Sequence, residues 1–489
     1  MWKNKANYGK LSLITRGGKP MPDLYQMTDE ELRALIVKLF ERIAVLEREN
    51  EALRAALNKN SKNSSKPPSK DGFKRTPNLR EKSGNKPGGV EGHAGHRLQM
   101  PEGYQELINN GLAVYELNDH TDGNEDYVSK WEIDIRVTPV FIEHRFKCGE
   151  VPAKYNNEVT YGEEIKALSI HLTDDGMVSA ERLADFFSSV TNGVVHPTKA
   201  ALLGFQNELA GTLDTEIAAI KEDLQKSPVM HTDDSPMKST QTVVHEAGKA
   251  DVYKSSKGTT FNVNTRTYST GRSTLYTVNP RKDLDGVYRD GVLPDYDNTL
   301  VHDHDIKYYN FGGRHGECNV HPCRELKGLE ELGIEWAGRM RDFLLEVNEH
   351  KLEDLARGVT ACDPIMLEKF ERHYFELLNE GSSVSNALDR KTCGYTKLNA
   401  LLARFYAYSD EHLLFINDYS VPFSNNLAER DLRAEKTKEK VSGCFRSWQG
   451  IEGFMKIRSF ISTVRKRGLN VVDSLRAVFK GESVLVQPL

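Results

Sequence analysis

Cysteine is scarce in this sequence: only six of the 489 residues are cysteine, and their spacing is irregular. Such sparse use is typical of reduced thiols and argues against a disulfide-stabilised scaffold. Long apolar runs are also lacking, because no stretch of about 18 apolar residues occurs that would cross a bilayer. The first residues contain no apolar segment of the kind found in secretory signals. We therefore expect a cytoplasmic protein without a membrane partner.

Positive charge is not in excess either, since the formal net charge is −5. Its distribution is nevertheless uneven. Residues 58–98 contain ten Lys or Arg against three Asp or Glu, and residues 429–467 contain eleven against five. Two basic segments on an otherwise acidic chain favour binding to a polyanion. The length predicts roughly two to four domains, and a hydrophobic content of 38% is typical of a soluble globular protein.

The segment 24–58 is predicted to form a parallel, two-stranded coiled coil. Leucine recurs every seven residues, and the other seam positions include two isoleucines and one asparagine. β-Branched residues and a buried asparagine at these positions favour a dimer in fixed register, and Thr28 with Glu31 forms a capping box at the start. The alternative is an amphipathic helix packed on its own domain. The predicted dimer contacts are Leu32, Ile36, Leu39, Ile43, Leu46, Asn50, Leu53 and Leu57.

Residues 59–107 are rich in Lys, Ser, Pro and Gly and contain too few apolar residues to bury a core. We expect a basic, flexible linker. It either follows DNA phosphates, with counterion release supplying the affinity, or serves as a solubilising connection. The candidate DNA contacts in it are Lys59, Lys62, Lys66, Lys70, Lys74 and Arg75.

Two small modules are expected next. Within 108–160, residues 112–150 alternate apolar and polar side chains, which predicts a β-hairpin. Residues 161–226 have a helical pattern that resembles a helix-turn-helix, with Thr198 and Lys199 early on the second helix, where DNA would be contacted. The alternative is an ordinary helical pair. The predicted core of this pair is Leu183, Phe187, Val190, Val195 and Leu202.

Three acidic strings far apart in the chain give the strongest chemical signal. They are HTDD at 231–234, LVHDHD at 300–305 and NNLAERDLR at 425–433. Each places a carboxylate where an element is predicted to begin or end. Three such carboxylates, brought together, would hold two divalent cations, which can cut and rejoin phosphodiesters.

The order of predicted elements around these strings suits an α/β nuclease core. From 227 to 330 the pattern predicts three strands, a helix and a fourth strand, with one acid on the first strand and another at the end of the fourth. A helical insertion is expected at 331–412. Residues 413–489 would then complete the core and add basic helices.

Seven strings of the sequence together resemble one family. They are KNSSKPPSKDG, GGVEGHAGH, HTDD, LVHDHDIKYY, GGRHGECNVHPCRELKG, VPFSNNLAERDLR and KEKVSGCFRSWQG. In this order they resemble the insertion sequence 66 family of bacterial DDE transposases. The resemblance implies an α/β fold whose RNase H-like catalytic core is interrupted by a helical insertion. The predicted coiled coil and small DNA-binding modules would precede this core. It also implies a nucleoid-associated protein that binds the terminal inverted repeats of its insertion sequence and performs DNA cleavage and strand transfer.

By motif position, the resemblance assigns catalysis and metal binding to Asp233, Asp303 and Glu429. Mg²⁺ is the implied cofactor, with Mn²⁺ as a substitute. Asp234 and Asp305 are the alternatives for the first two positions, and Glu429 could instead pair with a neighbouring arginine on a solvated helix face. The implied partners are double-stranded DNA, a second copy of the chain, and accessory proteins encoded in the same element.

Cys318 and His321 form a Cys-x-x-His string just after the second acid. It resembles a motif found near the active site of several DDE transposase families, so we expect a catalytic role for His321 near the scissile phosphate. Packing in the core is the alternative. A zinc site with Cys323 is not expected there, because three ligands do not close a zinc tetrahedron.

One departure from the family concerns zinc. Members usually carry paired cysteines between the linker and the catalytic domain, whereas only Cys148 is present here. Cys148, His93, His96 and His144 would together supply the four ligands that a zinc site needs, but we expect no structural zinc. The loss suggests a rival hypothesis, a catalytically inactive protein that binds DNA ends and represses transposition. A general RNase H-like nuclease is a second rival, which would not require a coiled coil.

The region after the third acid is predicted to contact DNA. Its charges recur at spacings that make a basic helix face, and a glycine-bounded turn adds an arginine and a tryptophan. Arginine would hold phosphate, and an exposed tryptophan would stack on an unpaired base. The alternative is a solvated charge run with a core tryptophan. The candidates are Arg430, Arg433, Lys436, Lys438, Lys440, Arg446 and Trp448.

Overall fold

The computed structural model describes residues 27–60, 63, 99–120, 128–155, 157–245 and 250–486. Within these ranges the protein is mixed α/β and rich in helix, and no helix is long and apolar enough to span a membrane. The helices are α1 (Asp29–Asn58), α2 (Tyr104–Asn109), α3 (Glu163–Ile170), α4 (Ala180–Val190), α5 (Lys199–Thr212), α6 (Asp214–Lys226), α7 (Leu284–Asp290), α8 (Val320–Glu330), α9 (Glu335–Ala356), α10 (Pro364–Ala387), α11 (Tyr395–Ala407), α12 (Ser409–Asn417), α13 (Asn426–Ser442), α14 (Trp448–Lys466) and α15 (Val471–Phe479). The strands are β1 (Val229–Ser239), β2 (Gln241–Val244), β3 (Val252–Ser255), β4 (Phe261–Ser269), β5 (Thr274–Asn279), β6 (Thr299–His302) and β7 (Arg314–Glu317).

Five strands form one mixed sheet in the order β5-β4-β1-β6-β7, and β2 pairs with β3 in a separate ribbon. β1 runs antiparallel to β4 but parallel to β6, which in turn runs parallel to β7. α7 lies in the connection from β5 to β6, where a crossover is needed to start a parallel pair. The predicted order of three strands, a helix and a strand corresponds to β1, β4, β5, α7 and β6. The β2–β3 ribbon and β7 are additions to it.

The main core contains side chains from the sheet and from α3 to α6, α14 and α15. Met230 of β1, Leu300 of β6 and Ile461 of α14 are completely buried in it. Burying one such side chain contributes roughly 1.5–3 kcal/mol. This core therefore holds the sheet that carries two of the three acidic strings.

Helix α14 also covers the free edge of the sheet at β5. The Ser459 hydroxyl accepts a hydrogen bond from the backbone N–H of Tyr276 at 2.8 Å, and the Thr463 hydroxyl accepts one from the N–H of Thr274 at 3.0 Å. Unpaired donors on an edge strand are a liability unless another element covers them. The two hydroxyls fix α14 to the sheet.

Helices α8–α12 form a helical unit between the second and third acids, where the sequence predicts an insertion, and they have their own core. Trp336 is buried in that core, and its indole N–H donates to the Leu377 carbonyl at 2.6 Å. A Cβ at Gly381 would come within 2.5 Å of this indole. The close approach of α9 and α10 therefore requires glycine at this position.

Helix α1 begins at Asp29, within the segment 24–58 predicted as a coiled coil. The Glu31 N–H donates to the Thr28 hydroxyl at 3.3 Å, and the Thr28 N–H donates to the Glu31 carboxylate at 2.9 Å, which forms the predicted capping box. In the single chain the seam is largely exposed; Leu39 is 53% exposed. Dimerisation through this seam stays a prediction. The linker candidates Lys62, Lys66, Lys70, Lys74 and Arg75 lie outside the described residues.

The β-hairpin predicted within 112–150 is wrong for the residues that the structure describes there, because none of them is in a strand. Most apolar side chains of this stretch are exposed, and Phe141 is 86% exposed. An alternating pattern forms a half-buried sheet only where another surface covers its apolar face. Cys148 is exposed as well. His93 and His96 lie outside the described residues.

The helical pair α4–α5 contains the predicted buried residues Leu183, Phe187 and Leu202. Its connection, residues 191–198, is longer than the turn of about four residues in a DNA-binding helix-turn-helix. Thr198 caps α5 by accepting a hydrogen bond from the Ala201 N–H at 3.1 Å. Lys199 is exposed and lies 3.4 Å from the Glu181 carboxylate. DNA contact by Thr198 and Lys199 stays a prediction.

Candidate active site

The three acidic strings converge beside β1, near the C-terminal end of β6. Asp233 lies within β1, and Asp303 follows β6 directly. The parallel register pairs His231 with Val301, so two further residues along each strand bring Asp233 opposite Asp303. Glu429 lies in the first turn of α13, which packs across β1.

The side chains at this point form a cluster of possible metal ligands. One donor atom from each of Asp303, Cys318, His321 and Glu429 lies within 4.8 Å of the others. Asp303 Oδ1 and Glu429 Oε1 are both buried and have no hydrogen-bond partner among the described residues. Buried carboxylate oxygens without a partner are costly. They are therefore suited to hold a cation.

The carboxyl of Asp233 lies in surroundings that disfavour its charged form. Burial and the nearby negative charges of Asp303, Asp234 and Glu429 together raise the pKa of its carboxyl to about 8. The Asp234 N–H, which donates to Asp233 Oδ1 at 2.8 Å, opposes this only in part. Without a cation, the protonated form of Asp233 is favoured at neutral pH.

The rival carboxylate Asp234 is already neutralised. Arg266 lies 3.0 Å from its Oδ1, and Lys307 lies 2.6 Å from its Oδ2. The Tyr308 hydroxyl donates to it as well. Although burial alone would raise the pKa of Asp234, the charges of Arg266 and Lys307 lower it below its ordinary value.

The other rival, Asp305, is paired in the same way. Its Oδ2 lies 2.6 Å from the Lys307 ammonium and 3.0 Å from that of Lys282. Burial would raise the pKa of Asp305, but these two lysines lower it to about 2. Both rival carboxylates are thus paired with lysine or arginine, whereas Asp303 Oδ1 and Glu429 Oε1 have no hydrogen-bond partner among the described residues.

His321 stands beside Asp303, as the sequence predicts for a residue near the site. Its Nδ1 lies 3.3 Å from Asp303 Oδ1, an ion-pair distance without hydrogen-bond geometry. Burial would lower the pKa of the imidazole, but Asp303 and Cys318 raise it to about 11. Protonated His321 is thus a cation next to the carboxylates. Cys323 is not a member of the cluster.

Asn425 is a site residue that the sequence analysis did not select. It precedes α13, yet its side chain does not cap that helix. Its amide donates to the Thr232 carbonyl at 2.8 Å, its Oδ1 lies 3.0 Å from His231 Nδ1, and its N–H donates to Cys318 Sγ at 3.2 Å. These contacts fix the start of α13, and with it Glu429, against β1. An asparagine just before a predicted helix was the available signal.

The basic candidates after Glu429 divide into two groups. Arg430, Arg433, Lys440 and Arg446 are exposed. Lys436 and Lys438 instead bind within the protein. The Lys436 ammonium donates to the Pro236 carbonyl, and the Lys438 ammonium lies 3.4 Å from the Asp174 carboxylate.

Trp448 is not exposed, so its predicted stacking on a DNA base is wrong. Only 2% of it is accessible, and it packs with Met237 and Phe454. Its indole N–H donates to the Glu452 carboxylate at 2.8 Å. The neighbouring charges suggested a surface position, but Trp448 opens α14 and is buried in a small core with residues of β1, β2, β4 and β5.

Comparison with known proteins identifies the family. The chain matches the Transposase IS66 family over residues 159–453, and a family of unknown function (DUF6444) over residues 19–99. No curated protein matches it. Among solved structures, the chain is similar to the Drosophila P element transposase strand transfer complex, with 9% sequence identity and a TM-score of 0.32, and with 65% of this chain and 95% of that chain covered. Because the first match spans more than half of its length, the chain belongs to the IS66 family of transposases.

Proposed function

We propose that the protein is a DDE-type DNA transposase that cleaves and rejoins phosphodiesters at Asp233, Asp303 and Glu429. The observation that carries this proposal is the convergence of three carboxylates from β1, the end of β6 and α13, two of them with unpartnered buried oxygens. The order and directions of the five strands, together with the insertion α8–α12, support an RNase H-like core that is split by helices.

The residues present fit a pair of Mg²⁺ ions, with Mn²⁺ as a substitute. Mg²⁺ prefers oxygen ligands. Asp303 Oδ1 and Glu429 Oε1 are oxygen atoms without a hydrogen-bond partner among the described residues, and the pKa of the Asp233 carboxyl is raised. The pairing of Asp234 and Asp305 with lysines supports Asp233 and Asp303 as the ligands. When bound, the two cations supply activation of the attacking oxygen and stabilisation of the leaving oxygen.

The other residues of the site act on these carboxylates. Asn425 holds Glu429 in position relative to β1, and the Arg266–Asp234 pair keeps a second negative charge of β1 neutral. We propose that protonated His321, which lies beside Asp303, contacts the scissile phosphate. A phosphate oxygen is the acceptor that an imidazolium N–H would bind beside the carboxylates.

We propose double-stranded DNA as substrate, in the form of the element's terminal inverted repeats and a target. The exposed cations Lys199, Arg430, Arg433, Lys440 and Arg446 support this partner. The open apolar seam of α1 supports a homodimer that would hold two DNA ends. The rival hypothesis, an inactive end-binding repressor, is not favoured by an observation at the site.

The test is metal-dependent cleavage of duplex DNA that carries the sequences flanking this gene. Wild type and Glu429→Gln are compared at equal DNA occupancy, because the substitution keeps size and removes only the charge. Site-specific 3′-hydroxyl ends from wild type alone are expected. Cleavage by both proteins would contradict the assignment of Glu429, and binding without cleavage by either would favour the repressor.

A further inference from the structure

We propose that a cavity between α13 and α14 binds a phosphate group, and that in the complex with DNA this phosphate belongs to the DNA backbone. The assignment of this phosphate to DNA rests on the proposed function, whereas the binding of phosphate itself does not. The cavity has a volume of about 350 Å³. Its wall includes Tyr276, Arg430, Arg458, Ser462, Arg465 and Lys466.

The charges around this cavity do not balance. Two carboxylates serve its four cations. Asp175 is shared by Arg458, at 2.7 Å, and Arg465, whereas Asp431 lies 2.7 Å from Lys466. Another acidic residue of α13, Glu435, is held largely protonated at neutral pH, because burial raises its pKa to about 8. An excess of positive charge therefore remains in the cavity wall.

Part of this excess positive charge is buried, unlike the charge of a solvated surface patch. Arg458 is only 6% exposed, and its Nε has no hydrogen-bond partner among the described residues. Burial and the charge of Arg430 together lower the pKa of Lys466. Cations that are confined in this way attract an anion more strongly than cations that water screens.

A phosphate group fits the donors that the cavity offers. Guanidinium groups bind phosphate oxygens through paired N–H donors, and the wall contains three of them, those of Arg430, Arg458 and Arg465. The volume lies within the range of about 300–1,000 Å³ found for small-ligand sites. Space therefore remains for a sugar that is attached to the phosphate.

The position of the cavity relates it to the catalytic carboxylates. Arg430 follows Glu429 directly, and Ala434, which also lines the cavity, lies five residues beyond Glu429 on α13. Five residues rise about 7.5 Å along a helix, and successive nucleotides of one strand rise about 3.4 Å. The cavity would thus hold a phosphate a few nucleotides from the scissile one.

The test uses the full chain in EDTA, so that neither metal nor cleavage is needed. Ala434→Glu introduces a carboxylate into the cavity and removes no existing partner, and Ser383→Glu adds the same charge at an exposed position of α10 as a control. Arg430→Gln is a second cavity variant for the case that Ala434→Glu does not fold. Binding of inorganic phosphate is measured by calorimetry, and binding of a labelled duplex by anisotropy over a series of salt concentrations.

We expect both cavity variants to weaken phosphate binding roughly tenfold or more, because Ala434→Glu adds a charge that repels phosphate and Arg430→Gln removes a charge-assisted contact. The slope of log affinity against log salt for DNA should fall by about one, and Ser383→Glu should behave as wild type. A loss of phosphate binding with an unchanged DNA slope would assign the cavity to a free phosphate compound. Wild-type behaviour of both cavity variants in both assays would overturn the proposal. Failure of DNA cleavage would affect none of these results.

Discussion

Replacing Asp233 by Asn should stabilise the metal-free protein, and more strongly as the pH rises. The reason is the raised pKa of this carboxyl, about 8 against an ordinary 3.8. A group whose pKa is higher in the folded state favours folding when protonated. That contribution is complete below about pH 4 and is lost as the pH rises through 8. Asparagine cannot ionise and does not incur the loss.

The magnitude follows from the size of the pKa shift. One pKa unit corresponds to about 1.4 kcal/mol, so ionising Asp233 costs at most roughly 6 kcal/mol above pH 8. Relaxation and entry of water reduce such costs, and we expect a measured difference of about 2 kcal/mol at pH 9 and none at pH 4. Glu435, whose pKa is also near 8, is present in both proteins, so its titration largely cancels in the comparison.

Urea unfolding in EDTA at pH 4, 7 and 9, followed by far-UV circular dichroism, measures this difference. Asp234→Asn is the matched control on the same strand, because ion pairs lower the pKa of Asp234. The ionised Asp234 carboxylate stabilises the folded protein above the ordinary pKa of aspartate, and this contribution is lost in acid. Asp234→Asn should therefore be less stable than wild type at pH 7. Added Mg²⁺ should stabilise wild type more than Asp233→Asn, because the ion binds the folded carboxylates.

Equal stabilities of wild type and Asp233→Asn at all three pH values would refute this reasoning. So would a stabilising effect of Asp234→Asn at pH 7. Either result would mean that the carboxylates on β1 do not differ in their electrostatic surroundings as the geometry indicates.

Three further substitutions test other parts of the molecule. Asn425→Ala removes the link between β1 and α13, so DNA cleavage should fall roughly tenfold or more and the free energy of unfolding by about 1–3 kcal/mol; undiminished cleavage would remove Asn425 from the site. Ile43→Lys places a charge in the predicted α1 seam and should shift sedimentation toward monomer, whereas an unchanged coefficient would contradict the coiled coil. Trp448→Ala should lower the free energy of unfolding by about 3–5 kcal/mol without changing DNA affinity; a selective loss of affinity would restore the stacking role.

The elements with a strong local pattern were predictable from the sequence. The alternation in β4 and β5, the capping box at Thr28 and the helical periodicity of α9 to α11 each depend on residues close together in the chain. The acidic strings were visible for the same reason, since each combines an element boundary with an acid. A family resemblance was needed to choose Asp233 over Asp234, because both belong to one string.

What the sequence did not reveal depends on distant partners. Lys282, Lys307 and Arg266 neutralise the rival carboxylates only after the sheet has formed, so no local pattern marks them. The four-residue strand β7 is too short for alternation to be recognised. Trp448 was placed on the surface because of its charged neighbours, but burial is decided by which face of α14 meets the sheet.

The most direct test of the proposed metal ligands is cleavage by Asp303→Cys in Mg²⁺ and in Mn²⁺, under reducing conditions. Mg²⁺ prefers oxygen ligands, whereas Mn²⁺ accepts sulfur more readily. If Asp303 binds a catalytic cation, the variant should be inactive in Mg²⁺ and partly active in Mn²⁺, while Asp305→Asn should cleave in both. Equal activity of Asp303→Cys in the two metals, or loss of cleavage only in Asp305→Asn, would contradict the assignment of the active site.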